Sequence, residues 1–229
     1  MVWGLKLQPV FNEFFPGGDY IGYKECLDAN FEAHANSEEK LGGVTKYRYR
    51  VTEKFHCELG IPRPDGPPLS PIKPHEWPTV FKLRKTRARI GSLIKMKDRI
   101  YAVDNTLKSI IERLEPGVHQ FNPIRILMPK DVEYPVPYHV MVVGRWLDSF
   151  RPDESDPGCL RFANGGYSVW LDKKQSYAGI AMAASVIGNA HLWREQNLYG
   201  TEFFLSHTLQ AEIAKAGLRV PKHFRMKSV

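Results

Sequence analysis

Cysteine is scarce in this sequence, whose 229 residues hold three: Cys26, Cys57 and Cys159. Their odd number and wide spacing argue against a disulfide framework and suit a reducing compartment. Long apolar runs are also missing, because the longest one, Gly179–Gly188, is far shorter than the roughly 18 residues of a membrane-spanning helix. Lys6 interrupts the apolar N-terminal segment, which predicts no secretory signal peptide. We therefore expect a cytoplasmic protein without a membrane partner.

Sequence motifs for cofactors and metals are also missing. The chain has no G-x-G-x-x-G motif, no phosphate-binding lysine motif and no C-x-x-C pair, each of which places ligating groups at a fixed spacing. We predict no cofactor, no metal site and no catalytic residue. The composition, 43% hydrophobic and 25% charged, is that of an ordinary folded protein.

A proline-rich stretch divides the sequence at residues 60–78. Because proline fixes φ and supplies no amide donor, we predict an exposed connector there rather than a helix or central strand. Residues 1–59 form a region of uncertain structure. Within it, residues 24–43 predict a helix that ends at Gly42–Gly43, and residues 46–59 predict a strand. Residues 79–229 predict an α+β domain, with a single continuous domain as the alternative.

Four later segments are rich in β-branched and aromatic residues, which favour strands. They are residues 117–128, 138–147, 159–172 and 190–206. The last two predict hairpins, because asparagine and glycine accept the backbone of a tight turn. The predicted fold class is α+β: a mostly antiparallel, twisted sheet with two similar strand–helix–strand units and a looser region before residue 79.

Those two units come from a pattern that occurs twice, in residues 101–115 and again in residues 203–217. In each copy an apolar strand end meets a residue that caps helices well, Asp104 in the first and Ser206 in the second. Ser206 and His207 also suggest a nucleophile and its base. The alignment with the first copy favours the start of a helix over catalysis.

A loop near the middle of the chain is rich in carboxylates. Its acidic residues are Asp148, Asp153, Glu154 and Asp156. Clustered carboxylates can perform acid–base chemistry or bind a cation, and this would make the chain a hydrolase. A loop of this composition is more often a solvated turn in which Asp and Ser bind the backbone. We favour the turn.

Positive charge is concentrated in residues 82–99, which hold eight Lys or Arg and one Asp. That excess of seven equals the formal net charge of the whole chain, +7. Two interpretations stay open: a solvated strand edge, or one basic strand face that contacts an acidic protein or, less favoured, nucleic acid. The contact residues of that face would be Lys82, Arg84, Lys85, Arg87 and Arg89.

Three segments resemble a known family. They are "DRIYAVDNTLKSIIERLEPGVHQFNPIRI" from residue 98, "PYHVMVVGRWLDSFRPDES" from residue 137 and "HLWREQNLYGTEFFLSHTLQAEIAKAGLRVPKHFR" from residue 191. Together they are similar to the immunity family numbered eleven in bacterial polymorphic toxin systems, over roughly residues 79–225. The resemblance implies a non-enzymatic protein that binds and neutralises a cognate secreted toxin. The alternative is a nucleic-acid-binding module that uses the basic stretch.

Overall fold

Two compact units make up the protein in the computed structural model, which describes residues 1–7, 10–61, 68–163, 166–169, 174–201 and 203–229. The first unit comprises Met1–Val10, Thr106–His119 and Val143–Val229. The second unit comprises Phe11–Asn105 and Gln120–Val142. Each unit is therefore assembled from segments that are distant in sequence, and the proline-rich stretch lies within the second.

Strands predominate, with helices between them. In the described part of the chain the strands are β1 (Val2–Leu5), β2 (Gly18–Tyr20), β3 (Val80–Leu83), β4 (Leu93–Lys95), β5 (Tyr101–Asp104), β6 (Gln120–Leu127), β7 (Tyr138–Val142), β8 (Trp146–Leu147), β9 (Phe150–Arg151), β10 (Leu160–Ala163), β11 (Gly166–Val169), β12 (Ala181–Met182), β13 (Leu192–Glu195), β14 (Leu198–Tyr199), β15 (Phe203–Ser206) and β16 (His223–Ser228). The α-helices are α1 (Tyr23–His34), α2 (Ser37–Glu53), α3 (Asn105–Leu114), α4 (Lys174–Ala178), α5 (Ala184–Ile187) and α6 (His207–Lys215). None of these helices is both long and apolar enough to cross a membrane.

The protein is a mixed α+β structure with mostly antiparallel sheets, as predicted. Nine of the thirteen strand pairs among the described residues are antiparallel. The strand predicted at residues 117–128 is confirmed as β6, and residues 138–147 form β7 and β8. Both segments carry β-branched and aromatic side chains that pack well on a pleated surface.

The first unit is organised around a seven-stranded sheet with the order β8-β13-β15-β1-β16-β12-β9. β1 lies between β15 and β16 and is antiparallel to both, so that Val2 is the register partner of Ser206 and of Met226. The buried side chains of this unit include Trp193 and Phe204, whose rings stack with centroids 5.8 Å apart. Segments from both ends of the chain therefore share one core.

Both predicted hairpins are confirmed as antiparallel strand pairs. β10 pairs with β11, and the turn residues 164–165 between them lie outside the described residues. β13 pairs with β15 in a register that sets Trp193 opposite Phe204. Between them the chain also forms β14, which joins β10 and β11 in a separate three-stranded sheet.

Ser206 is the N-cap of α6, as the repeated pattern predicted. Its hydroxyl accepts a hydrogen bond from the Leu209 amide at 3.1 Å, which satisfies a donor that has no partner inside the helix. The imidazole beside this hydroxyl belongs to His191, whose Nδ1 lies 2.8 Å from Oγ of Ser206. The side chain of His207 is exposed. The helix ends just before Gly217, whose φ of 64° is the left-handed conformation that closes helices.

A buried carboxylate, Glu115, joins three parts of the first unit directly after α3. Its Oε2 accepts from Nε2 of His119 at 2.9 Å and from the Leu192 amide at 2.8 Å, and Nε of Arg145 lies 2.9 Å from its Oε1. The Gly144 amide donates to Nδ1 of His119 at 3.3 Å, which leaves the ring proton on Nε2, facing the carboxylate. Burial alone would raise the pKa of Glu115, but the hydrogen bonds from His119 and the backbone outweigh it and lower that pKa.

In the second unit, helices α1 and α2 share a core with a six-stranded sheet of order β2-β3-β6-β7-β5-β4. The strand predicted at residues 46–59 is therefore wrong, because α2 covers most of that segment. Val51 and Phe55, four residues apart as on a helix face, are buried, and Tyr47 packs against the same core. Tyr49, which completed the apparent alternation, is 60% exposed.

Described parts of the region before residue 79 pack into the cores of both units. Leu5 of β1 is buried in the first unit, and Leu27 of α1 is buried in the second. The helix predicted over residues 24–43 ends earlier, at His34, and the glycine pair interrupts the next helix instead, with a non-helical φ of 73° at Gly43.

Part of the proline-rich stretch is also buried, so it is not simply an exposed connector. Leu69 and Glu76 are each 1% exposed. Both carboxylate oxygens of Glu76 lie 2.7 Å from Nζ of Lys54 at the end of α2, and the Lys73 amide donates to the same carboxylate at 2.7 Å. The stretch therefore docks against the helices through a paired, buried charge. Residues 62–67 lie outside the described residues.

Substituting Ser206→Ala is expected to lower the free energy of unfolding by about 1 kcal/mol, because the Leu209 amide loses its acceptor. The matched substitution His207→Ala removes an exposed side chain and should change stability by less than about 0.5 kcal/mol. Urea denaturation of both variants measures the difference. Equal effects would contradict the capping role of Ser206.

Glu115→Gln tests the buried carboxylate. Because the pKa of Glu115 is lower in the folded than in the unfolded chain, its carboxylate stabilises the fold at a pH above the unfolded pKa of about 4.3. That contribution to the free energy of unfolding is lost as the pH falls through the folded-state pKa. The variant should therefore be less stable at pH 7, by about 1–3 kcal/mol, and should lose less stability on acidification. The control Glu112→Gln, on a half-exposed side chain of α3, should behave like the unsubstituted protein in both respects. Parallel acid dependence in Glu115→Gln and the control would contradict this account.

Candidate partner-binding surface

The five basic residues predicted to contact a partner lie at the end of β3 and just beyond it. Lys82 belongs to β3, which ends at Leu83, and residues 84–89 form a loop. The prediction of one continuous basic strand face is therefore wrong. A strand packed on a core has an apolar side chain at every second position. Between the buried Leu83 and Ile90 the chain has no large apolar side chain, and it therefore forms a loop there.

The structure gives these five residues two kinds of environment. Three are exposed: Arg84, Lys85 and Arg89. The other two contact their own chain, since Nζ of Lys82 lies 2.7 Å from Oδ1 of Asp131 and the partly buried Arg87 donates to the Pro16 carbonyl at 3.4 Å. The exposed three are therefore the members of the predicted set best placed to meet a partner.

The loop is held by residues 11–17, which we call the strap. The amides of Arg84, Gly91 and Lys95 donate to the carbonyls of Gly17, Glu13 and Phe14 at 3.1, 2.9 and 2.8 Å. These backbone hydrogen bonds attach the strap to both sides of the basic loop. The loop is therefore fixed by contacts that do not depend on its own side chains.

The strap is itself ordered by a turn at Asn12. Oδ1 of Asn12 accepts from the amides of Phe14 and Phe15 at 2.7 and 3.0 Å, the pattern by which asparagine replaces a backbone turn. At Gly17, where φ is 68°, an added Cβ would lie 3.0 Å from the ring of Phe11. The positive φ and this close approach both require glycine there.

An exposed aromatic side chain stands at the centre of this arrangement. Phe11 is 59% exposed, yet its ring contacts that of Phe15 with centroids 4.8 Å apart, and the Arg84 guanidinium lies 5.7 Å from its centroid. Phe11 was not predicted from the sequence, because the first residues were considered only as a possible signal peptide. The signal available was an asparagine among three phenylalanines, followed by Pro16 and a glycine pair.

Carboxylates neutralise the strand next to the loop but not the loop itself. Asp19 of β2 is the register partner of Lys82 and forms its own ion pair with Lys97 at 2.9 Å. Residues 84–89 contain no acidic residue. The exposed basic residues of the loop therefore form a local cluster of positive charge, and Arg84 brings part of it beside Phe11.

The carboxylate loop of the first unit is dispersed among local partners. Asp148 accepts from the Asn197 side chain at 2.8 Å, and Asp156 lies 3.5 Å from Nζ of Lys227. Asp153 and Glu154 are exposed in a single turn of 3-10 helix. Across the described ranges, no three His, Cys, Asp or Glu side chains come together in a way that could hold a metal ion.

Comparison with known proteins gives a family. A model of the Imm11 immunity protein family matches residues 31–226, which extends the resemblance seen in the sequence towards the N-terminus to include α2 and the proline-rich stretch. No curated protein matches the chain significantly. Because the family match covers most of the sequence, the chain belongs to the Imm11 immunity protein family.

Proposed function

We propose that this protein is a non-enzymatic immunity protein that acts in the cytoplasm, where it binds and neutralises a cognate secreted bacterial toxin. Its membership of the Imm11 immunity protein family over residues 31–226 carries the proposal. A protein of this kind acts through its surface, by covering the active site or the substrate path of the toxin.

The basic loop supports a partner with an acidic contact surface. Arg84, Lys85 and Arg89 are exposed on a loop that the strap already holds, so binding costs little ordering of the backbone. Opposite charges on the two proteins would speed their encounter and fix their relative orientation more than they would add to affinity.

A growth assay tests the function. Under this proposal the gene of the protein lies beside that of its toxin. In cells that express that toxin, the chain should restore growth and should co-purify with the toxin. The variant Gly144→Val should restore nothing, since a Cβ there would lie 2.1 Å from the Val118 carbonyl oxygen and prevent folding of the first unit. If the unsubstituted chain neither restores growth nor binds the toxin, the proposed function is wrong.

Charge reversal tests the binding surface. The double variant Lys85→Glu/Arg89→Glu should associate with the toxin roughly tenfold more slowly at low salt and with a weaker salt dependence. Arg84 and Arg87 are left unchanged because they contact the strap. The control Lys24→Glu/Lys46→Glu makes the same change of charge at exposed positions of α1 and α2. If both double variants associate at the same rate, the loop is not in the interface.

The same two variants separate a protein partner from nucleic acid. Phosphate contacts make affinity fall steeply with salt, for duplex and single strands alike. Under our proposal, titration with random duplex and single-stranded DNA gives weak binding that does not depend on Lys85 and Arg89. Tight, salt-sensitive binding that is lost only in Lys85→Glu/Arg89→Glu would favour the nucleic-acid alternative.

A further inference from the structure

We propose that Phe11 is the aromatic anchor of the toxin-binding surface and that it enters an apolar pocket with an acidic rim on the toxin. This inference rests on the proposed function and deepens it, because it adds a residue outside the basic stretch and specifies the partner surface. It stands on the exposure of Phe11, on the contacts that fix its position and on the charges around it.

The exposure of Phe11 is unusual for its setting. It belongs to a cluster of three phenylalanines, of which Phe14 and Phe15 are only partly exposed, whereas Phe11 is 59% exposed. A phenylalanine side chain gains about 1.5–3 kcal/mol from full burial, and most of that gain is unused here. A partner that covers the ring would recover it.

The position of Phe11 is fixed before any partner arrives. On one side its ring meets Phe15 and the backbone of Gly17, and the Asn12 turn holds the strap that carries it. Three backbone hydrogen bonds then attach the strap to residues 84–95. An aromatic ring fixed in this way loses little conformational entropy on binding, which is what distinguishes the strongest interface residues from ordinary exposed ones.

The charges around Phe11 define the pocket that would receive it. The Arg84 guanidinium lies 5.7 Å from the ring, and Lys85 and Arg89 belong to the same loop. Strong interfaces place an aromatic or arginine anchor in a desolvated centre with polar groups at the rim. The matching toxin surface is therefore apolar where the ring enters and acidic around it.

Phe162 provides a matched control in the first unit. It is 64% exposed, and its ring packs against one neighbouring aromatic, Tyr167, with centroids 5.0 Å apart, much as Phe11 packs against Phe15. It lies on β10 rather than on a segment strapped to a basic loop. Removing either ring deletes the same atoms at similar exposure.

The test is the binding kinetics of purified chain and the toxin encoded beside its gene, measured by surface plasmon resonance at two salt concentrations. Phe11→Ala should raise the dissociation rate roughly 30-fold or more, as expected for a central anchor. It should leave the association rate and its salt dependence near those of the unsubstituted chain, since these report charge. Phe11→Tyr keeps the ring and should stay within a few-fold, and Phe162→Ala should change neither rate.

The outcomes separate this inference from the function on which it rests. If the unsubstituted chain does not bind the toxin, the proposed function and the anchor both fall. If it binds tightly and Phe11→Ala dissociates no faster than Phe162→Ala, the function stands and the anchor alone is overturned. Thermal unfolding of each variant shows that the fold is kept. If Phe11→Ala loses affinity because it unfolds, and Asn12→Ala binds the toxin normally, the anchor is also overturned.

Discussion

The backbone hydrogen bonds between residues 13–17 and residues 84–95 are the constraint on which the candidate surface depends. A flexible loop that carried these basic side chains would lose conformational entropy whenever a partner bound. Electrostatic attraction between exposed charges in water is too weak to offset much of that loss. Three main-chain bonds attach the strap to the loop and its flanks without using the charged groups. The guanidinium and ammonium groups of Arg84, Lys85 and Arg89 therefore remain on a prepared scaffold, and the adjacent phenylalanine ring shares it.

Buried carboxylates give each unit its internal specificity. Glu115 and Glu76 each receive a backbone amide and lie beside a basic side chain, Arg145 and Lys54 respectively. Breaking such a pair costs far more than forming it contributes, because an unpaired charge would be left in the interior. These groups therefore stabilise one arrangement of neighbouring segments against others that would leave the carboxylate unsatisfied.

Four segments after residue 79 could be predicted to form strands because they are rich in β-branched and aromatic residues, and asparagine and glycine marked the turns of the two hairpins. Residues 46–59 misled the prediction, since Tyr47 and Tyr49 alternate like a strand while the apolar side chains that reach the core, Tyr47, Val51 and Phe55, are spaced four residues apart. The basic residues were found from charge alone, but their loop conformation depends on hydrogen bonds to a segment about 70 residues away. No local pattern reveals a contact of that kind, and the fixed position of Phe11 depends on the same contacts.

The place of β1 in its sheet has a consequence for folding. The strand lies at Val2–Leu5, yet both of its partners, β15 and β16, begin at residue 203 or later. Closing the seven-stranded sheet therefore requires pairing between segments about 200 residues apart, and pairing over such distances is intrinsically slow. The assembly of this sheet is therefore governed by contacts of long sequence separation and not by local pairing.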